Sequence, residues 1–185
     1  MDADVEAAFA AVPRAGFLPP EQQRFAGNDA ALSIGYGVTN SQPSTVRAML
    51  ELLDVRPGHH VLDVGAGSGW TTALLAHLAT ATGSVVAVER IPEVLAMGEA
   101  NLAAARPAAP VETHLARPGV LGWPRAAPYD RILVSAGAED VPHDLLTQLA
   151  PDGIMVIPVG GEMLRVRRDG DPTRHGRYVF VPLVP

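Results

Sequence analysis

The chain contains no cysteine and no lysine. Without cysteine it forms no disulfide, no thiolate metal site and no cysteine nucleophile. Without lysine it has neither a Schiff-base amine nor a Walker-type phosphate lysine; all 14 basic side chains are arginine. Aromatic residues make up only 5 %, which leaves little for base stacking. Basic charge is not in excess either: the formal net charge is −6, whereas a nucleic-acid binder usually carries a basic face. No stretch reaches the ~18 uninterrupted apolar residues of a membrane span. The opening MDADVEAAFAAV is acidic and lacks a long apolar run, so no secretory signal is expected there and the cytoplasm is the expected compartment.

Apolar residues are plentiful, at 48 % of 185. That suffices for one domain over residues 1–185. Residues 3 to 11 read as a short helix, and residues 12 to 42, rich in Gly, Pro, Asn, Gln and Ser, as an irregular lead-in of functional length. Ser41-Gln42-Pro43 marks a helix start. Val46, Met49, Leu50 and Leu53 then follow the i, i+3, i+4, i+7 spacing of one buried face. Further on, strands are expected at 60–64, 84–89, 111–115, 130–135 and 153–159. Helices are expected at 70–81, 92–105 and 142–150. This alternation implies a mostly parallel sheet with helices on both faces. The strand-like segments 163–168 and 177–183, separated by Asp169-Gly170-Asp171-Pro172, read as a closing antiparallel hairpin.

The segment VLDVGAGSGW at 61–70 places Gly65, Gly67 and Gly69 between a strand and a helix. Glycine permits a sharp turn and a close ligand approach. Asp63 precedes the first glycine, and Glu89 ends the next strand, where a carboxylate can accept from both ribose hydroxyls. Dinucleotide sites favour G-x-G-x-x-G with a pyrophosphate on the helix N-terminus. Here the sixth position is Trp70, and Asp63 would repel a pyrophosphate. S-adenosylmethionine has no phosphate; its sulfonium and ammonium tolerate an acidic neighbour. The loop therefore points to S-adenosylmethionine, with NAD(P) and a tight turn that binds nothing as the other readings.

Several pieces extend the pattern: AAFAAVPRAGFLP at 7–19, SIGYGVTNSQP at 33–43, VAVERI at 86–91, GWPRAAPYDRILVSAGAEDVP at 122–142, LAPDGIMVIPVG at 149–160 and FVPL at 180–183. On these the chain resembles the protein-L-isoaspartate O-methyltransferases over nearly its whole length. The VPR, IGYG-x-T-x-S-x-P and FVPL pieces are more specific than the glycine loop. The resemblance implies a Rossmann-like class I methyltransferase fold. It also implies S-adenosylmethionine as cofactor and an isoaspartyl peptide or protein as substrate, with no nucleic acid, no membrane and a monomeric chain. The family methylates the carboxylate exposed when an aspartyl or asparaginyl bond isomerises. Such a carboxylate ordinarily titrates near pH ~4 and is already ionised at neutral pH, so none of the six histidines need act as a base.

By the same resemblance Ser41 is the active-site serine. Its hydroxyl would orient the carboxylate or shape the methyl pocket. It would not be a nucleophile, because no His–Asp relay is recognisable near it. A helix N-cap is the other reading of Ser41, compatible with the first. Thr39 and Asn40 would line the same loop. The implied cofactor contacts are Thr39, Asn40, Ser41, Asp63, Gly65, Ala66, Gly67, Gly69, Glu89, Arg90, Pro118 and Gly119. No metal is implied.

Two departures stand out. After the third strand of the alternating pattern the family usually has Gly-Asp-Gly, whose acidic side chain meets the adenine; here the stretch is Arg117-Pro118-Gly119. Proline offers neither a side-chain acceptor nor an N–H, and one lost hydrogen bond costs ~0.5–1.5 kcal/mol. The loop also reads Gly37-Val38-Thr39-Asn40-Ser41 in place of Gly-Gln-Thr-Ile-Ser. A methyltransferase for another carboxylate or a small molecule, and a cofactor-binding protein without catalysis, are the alternatives these departures keep open. Elsewhere, His59-His60 read as a solvated turn, Arg165, Arg167 and Arg168 as a solvated hairpin face, and Trp123 as core or as a rim near the site.

Overall fold

A computed structural model describes residues 3–184. Residues 1, 2 and 185, the ends of the expected domain, lie outside the described residues. The chain opens with α1 (Ala3–Ala11), a 3-10 turn (Arg14–Phe17) and the one-turn α2 (Pro20–Gln23). The lead-in then pairs with itself: β1 (Leu32–Gly35) and β2 (Val38–Asn40) form an antiparallel hairpin. Sequence reading expected no strands there. The tip needs positive φ at Gly35, Tyr36 and Gly37, and two of the three are glycine.

Helix α3 (Pro43–Leu53) follows, with Val46, Met49, Leu50 and Leu53 each at most 1 % exposed. Proline stands in its first turn, where a missing N–H is harmless. Its cap comes from afar: the Asp29 carboxylate accepts from the Ser44 N–H at 2.9 Å and from the Gln42 amide at 3.0 Å. The far end is met by arginines. Arg131 Nε donates to the Asp54 carbonyl, and Arg165 Nε donates to the Leu52 carbonyl, as suits the negative end of a helix. Arg165 is thus half-buried and engaged, not part of a solvated face, and Arg168 donates to the Leu149 carbonyl. His60 is likewise engaged. Its ring stacks on Tyr129 and bonds Ser84 Oγ and the Ala126 carbonyl.

The alternating region builds β3 (His60–Val64), α4 (Trp70–Ala79), β4 (Ser84–Glu89), α5 (Pro92–Ala105), β5 (Val111–Leu115), β6 (Tyr129–Val134), α6 (His143–Leu146), β7 (Leu149–Val159), β8 (Glu162–Arg167) and β9 (Thr173–Arg177). The large sheet runs β5-β4-β3-β6-β7-β8-β9. Strands β3 to β7 are parallel, while β8 and β9 are antiparallel. Val61 and Val85 face a core shared with α1, α3 and α4. Leu62, Val64, Val86 and Val88 face the other side, with Leu145 of α6 and the 116–127 loop. This alternation is the period-2 signature of a sheet buried on both faces.

Two expected boundaries differ. The helix expected over 142–150 is only α6, and β7 begins at Leu149, which pairs with Tyr129. Pro151 cannot continue a helix and pushes the residue before it to extended geometry. The last strand is the polar segment Thr173–Arg177, not 177–183. The apolar 178–184 instead leaves the sheet as a strap. The Gly137 N–H donates to the Val181 carbonyl, and the Leu183 N–H donates to the Gly137 carbonyl, each at 2.8 Å. Pro182, between them, has no N–H for a second partner strand. Among the described residues no helix is long and apolar enough to cross a membrane.

Candidate active site

Strand order reverses between β3 and β6, and open parallel sheets bind ligands at the carboxyl ends of strands flanking such a reversal. A cavity of about 340 Å³ lies there, within the range of small-molecule sites. Val64, Gly65 and Gly67 form its floor with Ser135 and Ala136, which follow β6. Val88, Glu89 and Arg90 at the end of β4 form one side, and Ala116, Val120, Leu121 and Gly122 another. The β2 edge contributes Val38, Thr39 and Ser41, and the strap 179–184 covers the rest. A smaller pocket of about 40 Å³ adjoins it, lined in part by Thr39, Asn40, Ser41, Ala66 and Ser68. Ser41 and Thr39 stand on the wall common to both. Asp29 supplies the cap of α3, so capping does not consume the Ser41 hydroxyl.

Glu89 is nearly buried and works on the loop itself. Its Oε2 accepts from the Gly67 N–H at 3.0 Å. Its Oε1 accepts from the N–H groups of Arg90 and Ile91 at 2.8 and 3.0 Å. A carboxylate has about four lone-pair sites, so capacity remains for a ligand hydroxyl in the cavity. The glycine loop has little to offer a phosphate. The N–H groups of Gly65 and Ala66 donate to the Val88 carbonyl, and that of Gly69 to the Ala66 carbonyl. With Gly67 held by Glu89, these four amides form no free anion nest.

Several expected contacts stand elsewhere. Asp63 is fully buried and lines neither pocket. Its Oδ2 accepts from the Thr72 hydroxyl at 2.7 Å, and its Oδ1 has no partner. Burial pushes this carboxyl up to about 7, with the Thr72 bond opposing the rise and the Glu89 charge adding to it. It ties the end of β3 to α4 through Thr72. Gly69 serves packing: a Cβ there would stand 3.0 Å from Leu102 and 3.1 Å from the Gly98 carbonyl, so glycine lets α4 and α5 approach. Pro118 and Gly119 line neither pocket. The cavity side nearest them in sequence, where a cofactor contact was expected, is lined by Ala116, Val120 and Leu121, and Arg117 lies over the Trp123 ring, which stacks on His114. Asn40 lines the smaller pocket, but its amide is already engaged by Arg14 and Ser68.

Some residues around the site gave no role in sequence. Gln148, 3 % exposed, clamps the wall: its Oε1 accepts from the Trp123 N–H at 2.9 Å and its Nε2 donates to the Leu121 carbonyl at 2.9 Å. Arg14, in the VPR segment, is buried among five backbone carbonyls of residues 26 to 41. Burial lowers its pKa, with the Asp29 charge opposing. Ser135 and Ala136 were signalled only by their place after a β-rich run.

A parallel sheet closed by antiparallel strands, with a phosphate-averse glycine loop at its reversal point, is the Rossmann-like fold of the class I methyltransferases. A model of the protein-L-isoaspartate(D-aspartate) O-methyltransferase family matches residues 1–185, and the chain belongs to that family. A protein-L-isoaspartate O-methyltransferase of Methanopyrus kandleri is 47 % identical over 181 residues, covering 94 % of this chain and 80 % of that protein. One of Aeropyrum pernix is 46 % identical, covering 96 % and 71 %. The fold also matches a crystal structure from Plasmodium falciparum, described as a putative protein-L-isoaspartate O-methyltransferase in complex with S-adenosyl-L-homocysteine. That TM-score is 0.87 at 23 % identity, over 98 % of this chain and 90 % of that one.

Proposed function

We propose that this protein, acting as one unit over residues 1–185, transfers a methyl group from S-adenosylmethionine to the carboxylate of an L-isoaspartyl residue in a peptide or protein. The product ester leads through a succinimide back towards normal aspartate. Family membership supports the chemistry, and the observation that carries the site is Ser41. It occupies the wall between the two pockets, beside Thr39, with its hydroxyl outside the helix cap.

When bound, S-adenosylmethionine supplies a methyl group on a positively charged sulfur. The cavity's donor set fits it: one carboxylate with a spare lone pair, apolar walls, and no free anion nest. Glu89 would accept from a ribose hydroxyl through its remaining lone pair, with Gly65, Ala66 and Gly67 beneath and Arg90 at the rim. Val120 and Leu121 offer the base an apolar surface in place of an acidic partner. The acceptor carboxylate is ionised at neutral pH. Its oxygen would take the methyl as the methyl–sulfur bond breaks and the bonding pair stays on sulfur, leaving neutral S-adenosylhomocysteine; no proton is released and no general base is required. What this chain contributes is placement and dryness. The Ser41 hydroxyl, with Thr39 beside it, donates to the carboxylate and holds it in line. Phe180, Val181 and Leu183 of the strap exclude water.

Within the same reading the protein acts as a cytoplasmic monomer on polypeptides; its net charge of −6 disfavours nucleic acid. The test is methyl transfer to an isoaspartyl peptide beside its aspartyl twin. Transfer to the isoaspartyl peptide alone is expected, and Ser41→Ala is expected to slow it at least ~10-fold. Equal transfer to both peptides, or none to either with the cofactor bound, would sink the proposal.

A further inference from the structure

Asn40 is 4 % exposed, and both ends of its amide are used. Its Oδ1 accepts from Arg14 Nε at 2.7 Å, and its Nδ2 donates to Ser68 Oγ at 3.0 Å. Ser68, 3 % exposed, sits inside the glycine loop, where its carbonyl also accepts from Asn101 Nδ2 at 2.9 Å. Arg14 in turn donates through Nη2 to the carbonyls of Asn40 and Ser41, at 3.0 and 2.9 Å. An unbroken buried polar chain therefore joins the Ser41 backbone to the 65–69 loop. A buried amide is tolerated only when its bonds are made. An apolar side chain at position 40 would fill the space and make neither bond, so the asparagine adds a mechanical link that packing does not require.

We propose that Asn40 is a positioning residue that makes cofactor binding and acceptor binding cooperative. The proposal rests on the methyltransferase reading above. A ligand that settles the 65–69 loop also settles Ser68 Oγ. Through Asn40 and Arg14 that fixes the backbone of Ser41, which faces the acceptor. Order imposed by the first ligand is not imposed again by the second. Each ligand then raises the affinity of the other, and by the same factor. Asn40 itself acts only through its two neighbours.

Two variants and two measurements test this. Asn40→Ile keeps an apolar volume at the site and removes both bonds; Ser68→Ala removes one bond and leaves Asn40 in place. The first measurement is amide hydrogen exchange of residues 65–69 in the ligand-free protein. The second is calorimetric affinity for S-adenosylhomocysteine with and without a saturating isoaspartyl peptide. In the wild type the peptide is expected to tighten binding at least ~5-fold. In both variants that ratio is expected to fall towards one and exchange over 65–69 to quicken. The double variant is expected to behave like either single one, since both break the same chain. A wild-type ratio of one, with binding of the peptide shown separately by calorimetry, overturns the proposal. So does a ratio that survives in the variants, even if their stability falls. If Asn40→Ile does not fold, Ser68→Ala decides. If the wild type binds S-adenosylhomocysteine but no isoaspartyl peptide, the acceptor assignment fails. The exchange comparison alone then decides the Asn40 link.

Discussion

The Glu89 carboxylate closes on the N–H of Gly67 at 3.0 Å, so the end of one strand holds the loop that follows its neighbour. Three N–H groups converge on this side chain. Glu89→Gln replaces one acceptor oxygen with an NH₂ that faces donors. Affinity for S-adenosylhomocysteine is expected to fall at least ~10-fold, about 1.4 kcal/mol, by calorimetry. Unchanged affinity would remove Glu89 from the cofactor site.

Asp63 gives a pH signature. Its folded pKa of about 7 lies above the ordinary 3.8, chiefly because it is buried. Stability from this group is full below the unfolded pKa and is lost as pH rises towards about 7, by on the order of 4 kcal/mol at most. Asp63→Asn is always neutral there. Its stability relative to the wild type is expected to improve between pH 4 and pH 8, measured by urea unfolding across that range.

Asp29 has the opposite sign. Its bonds from Gln42 and Ser44 hold its pKa below the ordinary value. The stability it contributes is present above the unfolded pKa and is lost as pH falls through the lower folded one. Asp29→Asn is expected to lower the melting temperature at neutral pH. The gap to the wild type is expected to narrow in acid below pH 4, as scanning calorimetry would read.

Gly122 carries the wall between Leu121 and Trp123 at a φ of 71°. A Cβ there would lie 2.7 Å from Gln148 Oε1 and 2.8 Å from Leu145. Gly122→Ala is expected to cost about 1–3 kcal/mol of stability. It is also expected to weaken S-adenosylhomocysteine binding, because Leu121 and Gly122 line the cavity. Normal affinity in a destabilised variant would show that the wall tolerates the shift.

The alternating core was legible because burial writes itself into residue type. Val85, Val86, Val88 and the α3 face are apolar at the spacing their element imposes, and Gly65 and Glu89 fall where a strand-ending site needs them. The ends of the chain were not legible for the same reason inverted. Thr173–Arg177 is polar yet a strand, because pairing with β8 needs only backbone groups. The tail 178–184 is apolar yet no strand, because its side chains serve a cavity. Asp63 looked like a ligand contact because its place before the loop does not reveal that its side chain is buried against Thr72 of α4. Arg14 had no legible role because all but one of its hydrogen-bond partners are backbone carbonyls, which every residue carries.

The strap that roofs the cavity is also a statement about time. Lining residues run from Ala31 to Val184, so contacts that complete the site join parts of the chain far apart in sequence, and such non-local contacts slow folding. A growing chain carries β3 to β7 before it carries a roof. The cavity thus depends on the C-terminal segment as much as on the sheet, and proteolytic clipping within the strap is expected to weaken S-adenosylhomocysteine binding while the sheet remains.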